Sequence, residues 1–157
     1  MRRPSRKAFA ALVAAIGLAL PLLTPTTASA ATATSRFANY RYGECLREHD
    51  ETLLKADRCG TGRGSLLWQW NGRLNTSTTL RNTVWKRCLD SNDRGDVYPL
   101  ECNGGSYQKW RTVQPAAGSA VMLQSVGTGR CLYQQDDGYY RTATCDRNAQ
   151  NQRYTIG

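Results

Sequence analysis

The sequence predicts an all-β fold of three similar units that close around a pseudo-threefold axis. Three observations lead to this prediction. Six cysteines recur with a spacing of 43 residues, and large apolar residues keep the same period. Glycine- and aspartate-rich turns separate short segments of β-forming residues. The chain of 157 residues is long enough to form one domain with its own core.

The first 30 residues are typical of a secretory signal. The basic opening Arg2–Lys7 precedes an apolar run over Phe9–Leu23, and Ala28–Ala30 supplies the small residues that a signal peptidase needs. A transmembrane anchor is the alternative, but the apolar run is short for a span and no basic stop follows it. We therefore expect cleavage near residue 30, a domain over residues 31–157, secretion, and no membrane insertion after cleavage.

The charge pattern argues against a nucleic-acid partner. The formal net charge of +9 falls to +5 once the four basic residues of the signal are removed. The basic and acidic residues that remain are well mixed, and no run of five like charges occurs. We therefore expect no nucleic-acid partner.

The cysteines define the repeat and indicate a disulfide framework, because their number is even in a chain with an export signal. Within each repeat the two cysteines are 14 residues apart. The simplest pairing stays within each repeat and joins Cys45 to Cys59, Cys88 to Cys102, and Cys131 to Cys145. Each such bond would contribute about 3 kcal/mol to stability. Pairing between repeats is the alternative.

Other landmarks keep step with the cysteines. Leucine comes directly after the first cysteine of each repeat, and a large apolar residue lies eight positions before that cysteine. An aromatic residue lies further along the chain, beyond each second cysteine. These landmarks are Leu46, Leu89 and Leu132, then Phe37, Leu80 and Leu123, then Trp68, Trp110 and Tyr154. The repeats run over about 36–74, 79–115 and 122–157. We expect the leucines after the cysteines and the three aromatic residues to share one core. A solenoid is the alternative, but it usually has more repeats.

Short segments rich in β-branched or aromatic residues are predicted to be strands. Examples are Thr83–Trp85, Asp96–Tyr98 and Tyr140–Ala143. Turn signals such as Asp93–Gly95 and Asn103–Gly105 separate them at intervals of about ten residues. This pattern favours a closed or sandwiched all-β architecture.

Two triplets, Gln108–Trp110 and Gln152–Tyr154, resemble the Gln-x-Trp signature of ricin B-type lectin domains. The aligned triplet of the first repeat, Leu66–Trp68, keeps only the tryptophan. Together with the Cys-Leu pairs, the chain resembles short secreted bacterial members of this family, close to carbohydrate-binding module family 13. The resemblance implies a β-trefoil of twelve strands with up to three sugar sites. It leaves only a leader over residues 31–36 outside the repeats.

The resemblance also implies an acceptor carboxylate after the Cys-Leu pair and an aromatic platform on the following strand. A sugar presents hydroxyl groups and an apolar C–H face, which such groups can bind. The second repeat fits best, and its candidate carbohydrate-binding residues are Asp90, Asn92, Tyr98, Asn103 and Gln108. Structural alternatives stay open: Asp90 as a turn or cap residue, Tyr98 as core, and Gln108 as a brace.

The other two repeats depart from this pattern. Arg47 replaces the acceptor carboxylate in the first repeat, and an arginine cannot accept a hydrogen bond from a hydroxyl. We therefore expect no sugar site there. Tyr133 occupies the same position in the third repeat, which could bind by another arrangement. The residues available for it are Asp136, Asp137, Tyr139, Tyr140 and Gln152.

The sequence offers little for catalysis. His49 has no partner for a triad or a zinc site, and Asp136-Asp137 lies in a turn rather than across a cleft. We expect a carbohydrate-binding protein without enzymatic activity, cofactor or metal, which binds galactose-like or xylan-type glycans weakly. One alternative is a trefoil that has lost sugar binding and acts as a protein-interaction or protease-inhibitor module. The other is an electrostatic binder of anionic surface polymers.

Overall fold

A computed structural model describes residues 32–60, 62–114, 118 and 120–157. The predicted signal over residues 1–30 lies outside the described residues. The described residues form fourteen β-strands and three short 3₁₀ helices, so the predicted all-β class is confirmed. Within them, no helix has the length and apolar character needed to cross a bilayer.

The three repeats contribute their elements in the same order. The first contains β1 (Ala33–Ser35), β2 (Phe37–Asn39), β3 (Glu44–Glu48), β4 (Leu54–Arg58) and β5 (Trp68–Trp70). The second contains β6 (Ser77–Thr79), β7 (Arg81–Asn82), β8 (Cys88–Ser91), β9 (Val97–Leu100) and β10 (Lys109–Val113). The third contains β11 (Ala120–Ser125), β12 (Cys131–Gln134), β13 (Tyr140–Ala143) and β14 (Tyr154–Ile156). The 3₁₀ helices Gly64–Leu66, Ser106–Gln108 and Gln150–Gln152 each precede the last strand of a repeat.

The first and last strands of the repeats close into a ring. Strand β5 pairs with β1 and β7, β10 pairs with β6 and β11, and β14 pairs with β11 and β2. The hairpins β3–β4, β8–β9 and β12–β13 join this ring through the equivalent pairs Ala38–Cys45, Arg81–Cys88 and Gln124–Cys131. Closure leaves the ring without a free edge. The predicted β-trefoil is confirmed.

The strand count differs from the twelve that the resemblance implies because the first strand of two repeats is interrupted. The breaks fall at Arg36 and Leu80, whereas the equivalent strand of the third repeat, β11, is continuous. The resemblance leaves residues 31–36 outside the repeats, but the described structure puts β1 (Ala33–Ser35) inside the first one. Strand β1 pairs with β5 just as β6 pairs with β10, so it is the first half of the first repeat's opening strand.

The predicted core is confirmed. Nine landmark side chains are fully buried, namely Phe37, Leu46, Trp68, Leu80, Leu89, Trp110, Leu123, Leu132 and Tyr154. Two of the aromatic residues are also held by equivalent hydrogen bonds. Trp68 Nε1 donates to the Leu46 carbonyl at 3.0 Å, and Trp110 Nε1 donates to the Leu89 carbonyl at 2.8 Å. Each aromatic ring is thereby fixed to the leucine that follows the first cysteine of its own repeat.

The predicted disulfide pairing within repeats is also confirmed. The bonds join Cys45 to Cys59, Cys88 to Cys102, and Cys131 to Cys145. No free cysteine occurs in the described part of the chain. In each repeat the bond links the first strand of a hairpin to the segment just beyond its second strand, and so fixes the base of the hairpin.

One predicted strand is a turn. The segment Thr83–Trp85 was predicted to be a strand from its β-branched and aromatic residues, but it forms the turn between β7 and β8. The side chain of Asn82 explains the difference. Its Oδ1 accepts hydrogen bonds from the backbone N–H of Val84 at 2.9 Å and of Trp85 at 3.3 Å. These bonds stabilise a turn in place of a ladder.

This turn contains a strained lysine. Lys86 has φ 60, and the equivalent residues of the other repeats are Gly43 with φ 68 and Gly129 with φ 70. We expect Lys86→Gly to raise the free energy of unfolding by roughly 0.5 to 1 kcal/mol, because glycine adopts this backbone conformation without a Cβ clash. Urea denaturation measures the change.

The matched control is Gly129→Ala. An added Cβ there would meet no atom within 4 Å, so its effect is conformational, and we expect a loss of similar size. If both Lys86→Gly and Gly129→Ala lower the free energy of unfolding, the contacts that Lys86 makes stabilise the fold by more than its backbone strain destabilises it.

Candidate functional site

Asp90 lies in β8, the first strand of the second hairpin. It stands opposite Tyr98 in the β8–β9 ladder and is only 4% exposed. Its Oδ1 accepts a hydrogen bond from the backbone N–H of Ser91 at 2.6 Å, and its Oδ2 accepts one from Gln108 Nε2 at 2.9 Å. An ionised carboxylate has about four acceptor positions, so Asp90 can accept further bonds from a ligand.

Gln108 is fully buried behind Asp90. Besides its bond to Asp90, Nε2 donates to the Glu101 carbonyl at 2.8 Å, and Oε1 accepts from the backbone N–H of Asn103 at 2.8 Å. These three bonds use both ends of the amide. Gln108 was predicted as a sugar contact, but its burial and bonding make it the brace that orients Asp90.

The two predicted asparagines shape loops. Asn92 Oδ1 accepts from the backbone N–H groups of Arg94 and Asp96 at 3.0 Å each, which closes the β8–β9 turn. Asn103 is exposed, and its Oδ1 accepts from the backbone N–H of Gly105 at 2.8 Å. Both side chains retain donor capacity near the surface, so their contact with a ligand stays a prediction.

Two tyrosines lie on the segments around Asp90, Tyr98 in β9 and Tyr107 next to Gln108. Tyr98 is partly buried, and this burial, followed by the nearby charge of Asp90, raises the pKa of its hydroxyl. Tyr107 is 39% exposed and donates from its hydroxyl to Asp93 Oδ2 at 2.9 Å. That hydrogen bond to the carboxylate raises the pKa of Tyr107, with a smaller contribution from Tyr98. The two rings supply aromatic surface beside an acceptor carboxylate.

Asp93 and Tyr107 were not among the predicted site residues. Tyr107 owes its position to the third repeat, because a Cβ added to Gly127 would meet Tyr107 Cδ1 at 2.8 Å. The ring therefore lies directly on the Gly127 backbone. The sequence places Tyr107 beside Gln108, but this contact between repeats has no local signal.

In the first repeat an ion pair fills the equivalent position. Arg47 donates from its guanidinium NH1 to Asp57 Oδ2 at 2.9 Å and from Nε to Ser65 Oγ at 3.2 Å. Arg63 donates to the same carboxylate oxygen at 2.8 Å. Arg47 is thus held by Asp57 and Ser65, and its own side chain offers no acceptor for a hydroxyl.

The third repeat has an open polar cavity of about 400 Å³ at the equivalent place. Its lining residues are Arg41, Tyr133, Gln135, Asp136, Asp137 and Asn151. Asp136 and Asp137, which were named from the sequence as candidates for this repeat, do line the cavity. Asn151 also lines it but was not among the predicted residues. The cavity combines two carboxylates, two amides, one aromatic ring and the guanidinium of Arg41, which lies 3.6 Å from Asp136.

The other residues considered for the third repeat have different places. Tyr140 is 4% exposed and belongs to the core, while Tyr139 is exposed with Lys55 Nζ 5.2 Å from its ring centroid. Gln152 repeats two of the three hydrogen bonds of Gln108, those to the backbone. Its Oε1 accepts from the backbone N–H of Asp146 at 2.8 Å, and its Nε2 donates to the Thr144 carbonyl at 3.0 Å.

His49 lies in the β3–β4 turn, where its backbone N–H donates to the Leu53 carbonyl at 2.8 Å. Over the residues with described positions, no group of three or more histidines, cysteines, aspartates or glutamates is placed to hold a metal ion. In the second repeat a nearly buried carboxylate thus lies opposite a tyrosine, and in the third a polar cavity has one aromatic residue in its lining.

No family model matches the chain. Among solved structures, the fold is similar to a designed three-fold symmetric protein, ThreeFoil, with a TM-score of 0.69 and 17% identity over 78% of this chain and 96% of that chain. It is also similar to the hemolytic lectin CEL-III, with a TM-score of 0.65 and 18% identity over 79% of this chain and 30% of that chain.

A further similar structure is the Polyporus squamosus lectin bound to the human-type influenza-binding epitope Neu5Aca2-6Galb1-4GlcNAc. Its TM-score is 0.65, with 18% identity over 78% of this chain and 48% of that chain. The chain thus spans less than half of the length of either lectin. At these identities the likenesses establish the β-trefoil fold alone.

Proposed function

We propose that this β-trefoil is a secreted carbohydrate-binding module without catalytic activity, which binds galactose-like or xylan-type glycans through its second repeat. The observation that carries the proposal is the Asp90 carboxylate, held by Gln108 at 2.9 Å and opposite Tyr98 in the ladder, with Tyr107 bonded to the neighbouring Asp93. Secretion is supported by the sequence of residues 1–30 and by the three disulfides.

The chemistry of the site suits a sugar ring. Asp90 accepts hydrogen bonds from hydroxyl groups, and the tyrosine rings cover the apolar C–H face. The orientation of Asp90 is fixed before a ligand arrives, because Gln108 is buried and fully bonded. Few side chains would contact a single sugar, so we expect its affinity to be weak and to gain from multivalent glycans.

The names of similar structures support the same class of ligand. Two of them are lectins in their own right, and one of these was solved with a glycan bound. The polar cavity of the third repeat, with Asp136, Asn151 and Tyr133 in its lining, is a second place where a sugar would find acceptors and an aromatic ring. The ion pair of Arg47 leaves the first repeat without such a place.

Replacing Asp90 by asparagine tests the proposal. Asparagine keeps the shape but loses the charge and one acceptor group, so we expect the affinity for the bound glycan to fall roughly 10- to 100-fold. Isothermal titration with galactose and with xylo-oligosaccharides measures the loss. The matched control is Asp50→Asn, a half-buried aspartate in the turn of the first hairpin, which should leave affinity unchanged.

The two claims can fail separately. Equal affinities of the wild type and Asp90→Asn for a glycan would show that the site is elsewhere. Absence of saturable binding to any neutral glycan would refute the proposed function itself.

A further inference from the structure

The turn between β7 and β8 exposes an aromatic ring. Trp85 is 39% exposed, although the other three tryptophans are buried. The backbone of Val84 and Trp85 is held by Asn82 Oδ1 at 2.9 and 3.3 Å, so the ring is carried by a rigid turn. An exposed, rigid tryptophan is a surface on which an apolar face can stack.

A cavity of about 410 Å³ lies beside this ring. Its lining residues are Arg81, Trp85, Lys86, Arg87, Glu101 and Cys102. Arg87 is paired with Glu51 at 2.9 Å, but in the described ranges of the chain neither Arg81 nor Lys86 forms an ion pair. Lys86 Nζ donates to the Thr83 carbonyl and keeps two further donors. The cavity therefore presents two cations without an ionic partner and the carboxylate of Glu101 around an aromatic ring.

The arrangement is held together at Lys86. Arg81 Nε donates to the Lys86 carbonyl at 3.1 Å, which orients the guanidinium and leaves its other N–H groups for a ligand. Lys86 itself has the left-handed backbone that the other repeats assign to Gly43 and Gly129. A strained residue beside a cavity is a reason to look for a function there.

The fold does not require this combination of residues. At the positions equivalent to Trp85 the other repeats have Tyr42 and Thr128, and at those equivalent to Arg81 they have Ala38 and Gln124. All three repeats nevertheless form the same hairpin on the same ring. The combination of an aromatic ring with two cations is thus a property of the second repeat and not of the shared architecture.

We propose that this cavity is a carbohydrate site distinct from Asp90, and that it takes a pyranose bearing an anionic group. Arg81 and Lys86 bind the anionic group, which is a uronate carboxylate or a sulfate ester. Trp85 stacks on the C–H face of the ring, and Glu101 accepts hydrogen bonds from its hydroxyls. Glu101 is negatively charged and therefore repels a ligand with dense negative charge, such as a nucleic acid or polyphosphate.

An adjoining cavity extends the site. It has a volume of about 430 Å³, and Arg81 and Cys102 line both cavities. Its other walls include Trp70, Asn71 and Gly104. A glycan of two or more units could therefore continue from the Trp85 cavity past Arg81, and an oligosaccharide is the better probe than a monosaccharide.

The test uses oligogalacturonate, a sulfated galactose oligosaccharide and a neutral galactose oligosaccharide as separate ligands, with affinities measured by isothermal titration. We expect at least one acidic ligand to bind, and its affinity to fall at least about 10-fold in both Trp85→Ala and Arg81→Gln. The two acidic probes show whether carboxylate or sulfate is preferred. Matched controls are Tyr139→Ala, another exposed aromatic, and Arg73→Gln, an exposed arginine outside the cavity lining.

Several results would overturn the proposal. These are the absence of binding by either acidic ligand, unchanged binding in Trp85→Ala, equal losses in Arg81→Gln and Arg73→Gln, or binding of polyphosphate as tight as that of the acidic sugars. The Asp90 site shares no lining side chain with this cavity. Asp90→Asn should therefore leave acidic-sugar affinity unchanged, and Trp85→Ala should leave neutral-sugar affinity unchanged, so either proposal can fail alone.

Discussion

Replacing Leu46, Leu89 or Leu132 by alanine is expected to lower the free energy of unfolding by about 2 to 5 kcal/mol in each case. All three side chains are fully buried in one cluster. Truncation removes apolar contacts and leaves a cavity that a ring of closed strands cannot easily fill. Because the three repeats meet in a common core, the three losses should be of similar size.

Urea denaturation of the three variants measures these losses. The matched control is Leu74→Ala, a leucine that is 42% exposed and should change stability by less than about 0.5 kcal/mol. A loss below about 1 kcal/mol for one of the three buried leucines would show that its repeat does not share the core. Such a result would argue against the threefold packing of the core, which determines the positions of both proposed sites.

Glu48→Gln is expected to make the protein roughly 2 kcal/mol more stable at pH 8 and to have little effect on its stability at pH 4. Glu48 is fully buried in β3, and neither carboxylate oxygen has a hydrogen-bond partner among the described residues. This burial raises the pKa of the carboxyl from 4.5 to about 7, against the attraction of Arg87 and with some repulsion from Asp50.

The sign follows from proton binding. Between pH 4.5 and 7 the folded chain holds a proton on Glu48 that the unfolded chain has released. Folding stability therefore falls as pH rises through this window, and at higher pH the buried charge remains as a penalty. Glutamine carries no charge at any pH, so the variant should lose this part of the pH dependence.

Equilibrium unfolding of both proteins from pH 4 to pH 8 measures the difference. Glu101→Gln, at an exposed position, is the matched control and should follow the wild-type profile. A stability difference between Glu48→Gln and wild type that stays constant over the whole range would contradict the account of Glu48 as a buried titrating group.

The equivalent positions show why Glu48 is unusual. In the second repeat Ser91 Oγ donates to Ser125 Oγ at 3.0 Å, and in the third Gln134 Nε2 donates to Glu44 Oε2 at 2.6 Å. Both are satisfied by neighbouring elements, whereas Glu48 is not. The sequence could not predict this, because Glu48 stands in a charged segment that indicates an exposed turn.

The core and the disulfides were predictable because they follow a fixed period. Trp68, Trp110 and Tyr154 keep step with the cysteines, and all three are fully buried. The turn at Thr83–Trp85 was not predictable from β-propensity, since its cause is the side chain of the preceding Asn82. The β-propensity of these residues is a weak preference, and the hydrogen bonds accepted by Asn82 favour a turn instead.

The candidate site was predictable in part for a similar reason. Asp90 was found from its place after the Cys-Leu pair, and the ladder puts it opposite Tyr98 as a neighbouring strand should. Tyr107 and Asp93 were missed because they meet only through a bond between a loop and a turn, on a surface supplied by Gly127. Contacts of this kind depend on how the repeats pack together, and the spacing of residues along the sequence does not predict that packing.

The most direct test of the central claim maps where a neutral glycan binds. The ¹⁵N-labelled protein is titrated with the galactose-like or xylan-type oligosaccharide that it binds most tightly, and the shifts of its backbone amides are followed by NMR. Our account predicts saturable shifts centred on Asp90, Ser91, Tyr98 and Tyr107, with none at Arg47. Shifts centred outside the second repeat, or no saturable shift with any neutral glycan, would contradict it.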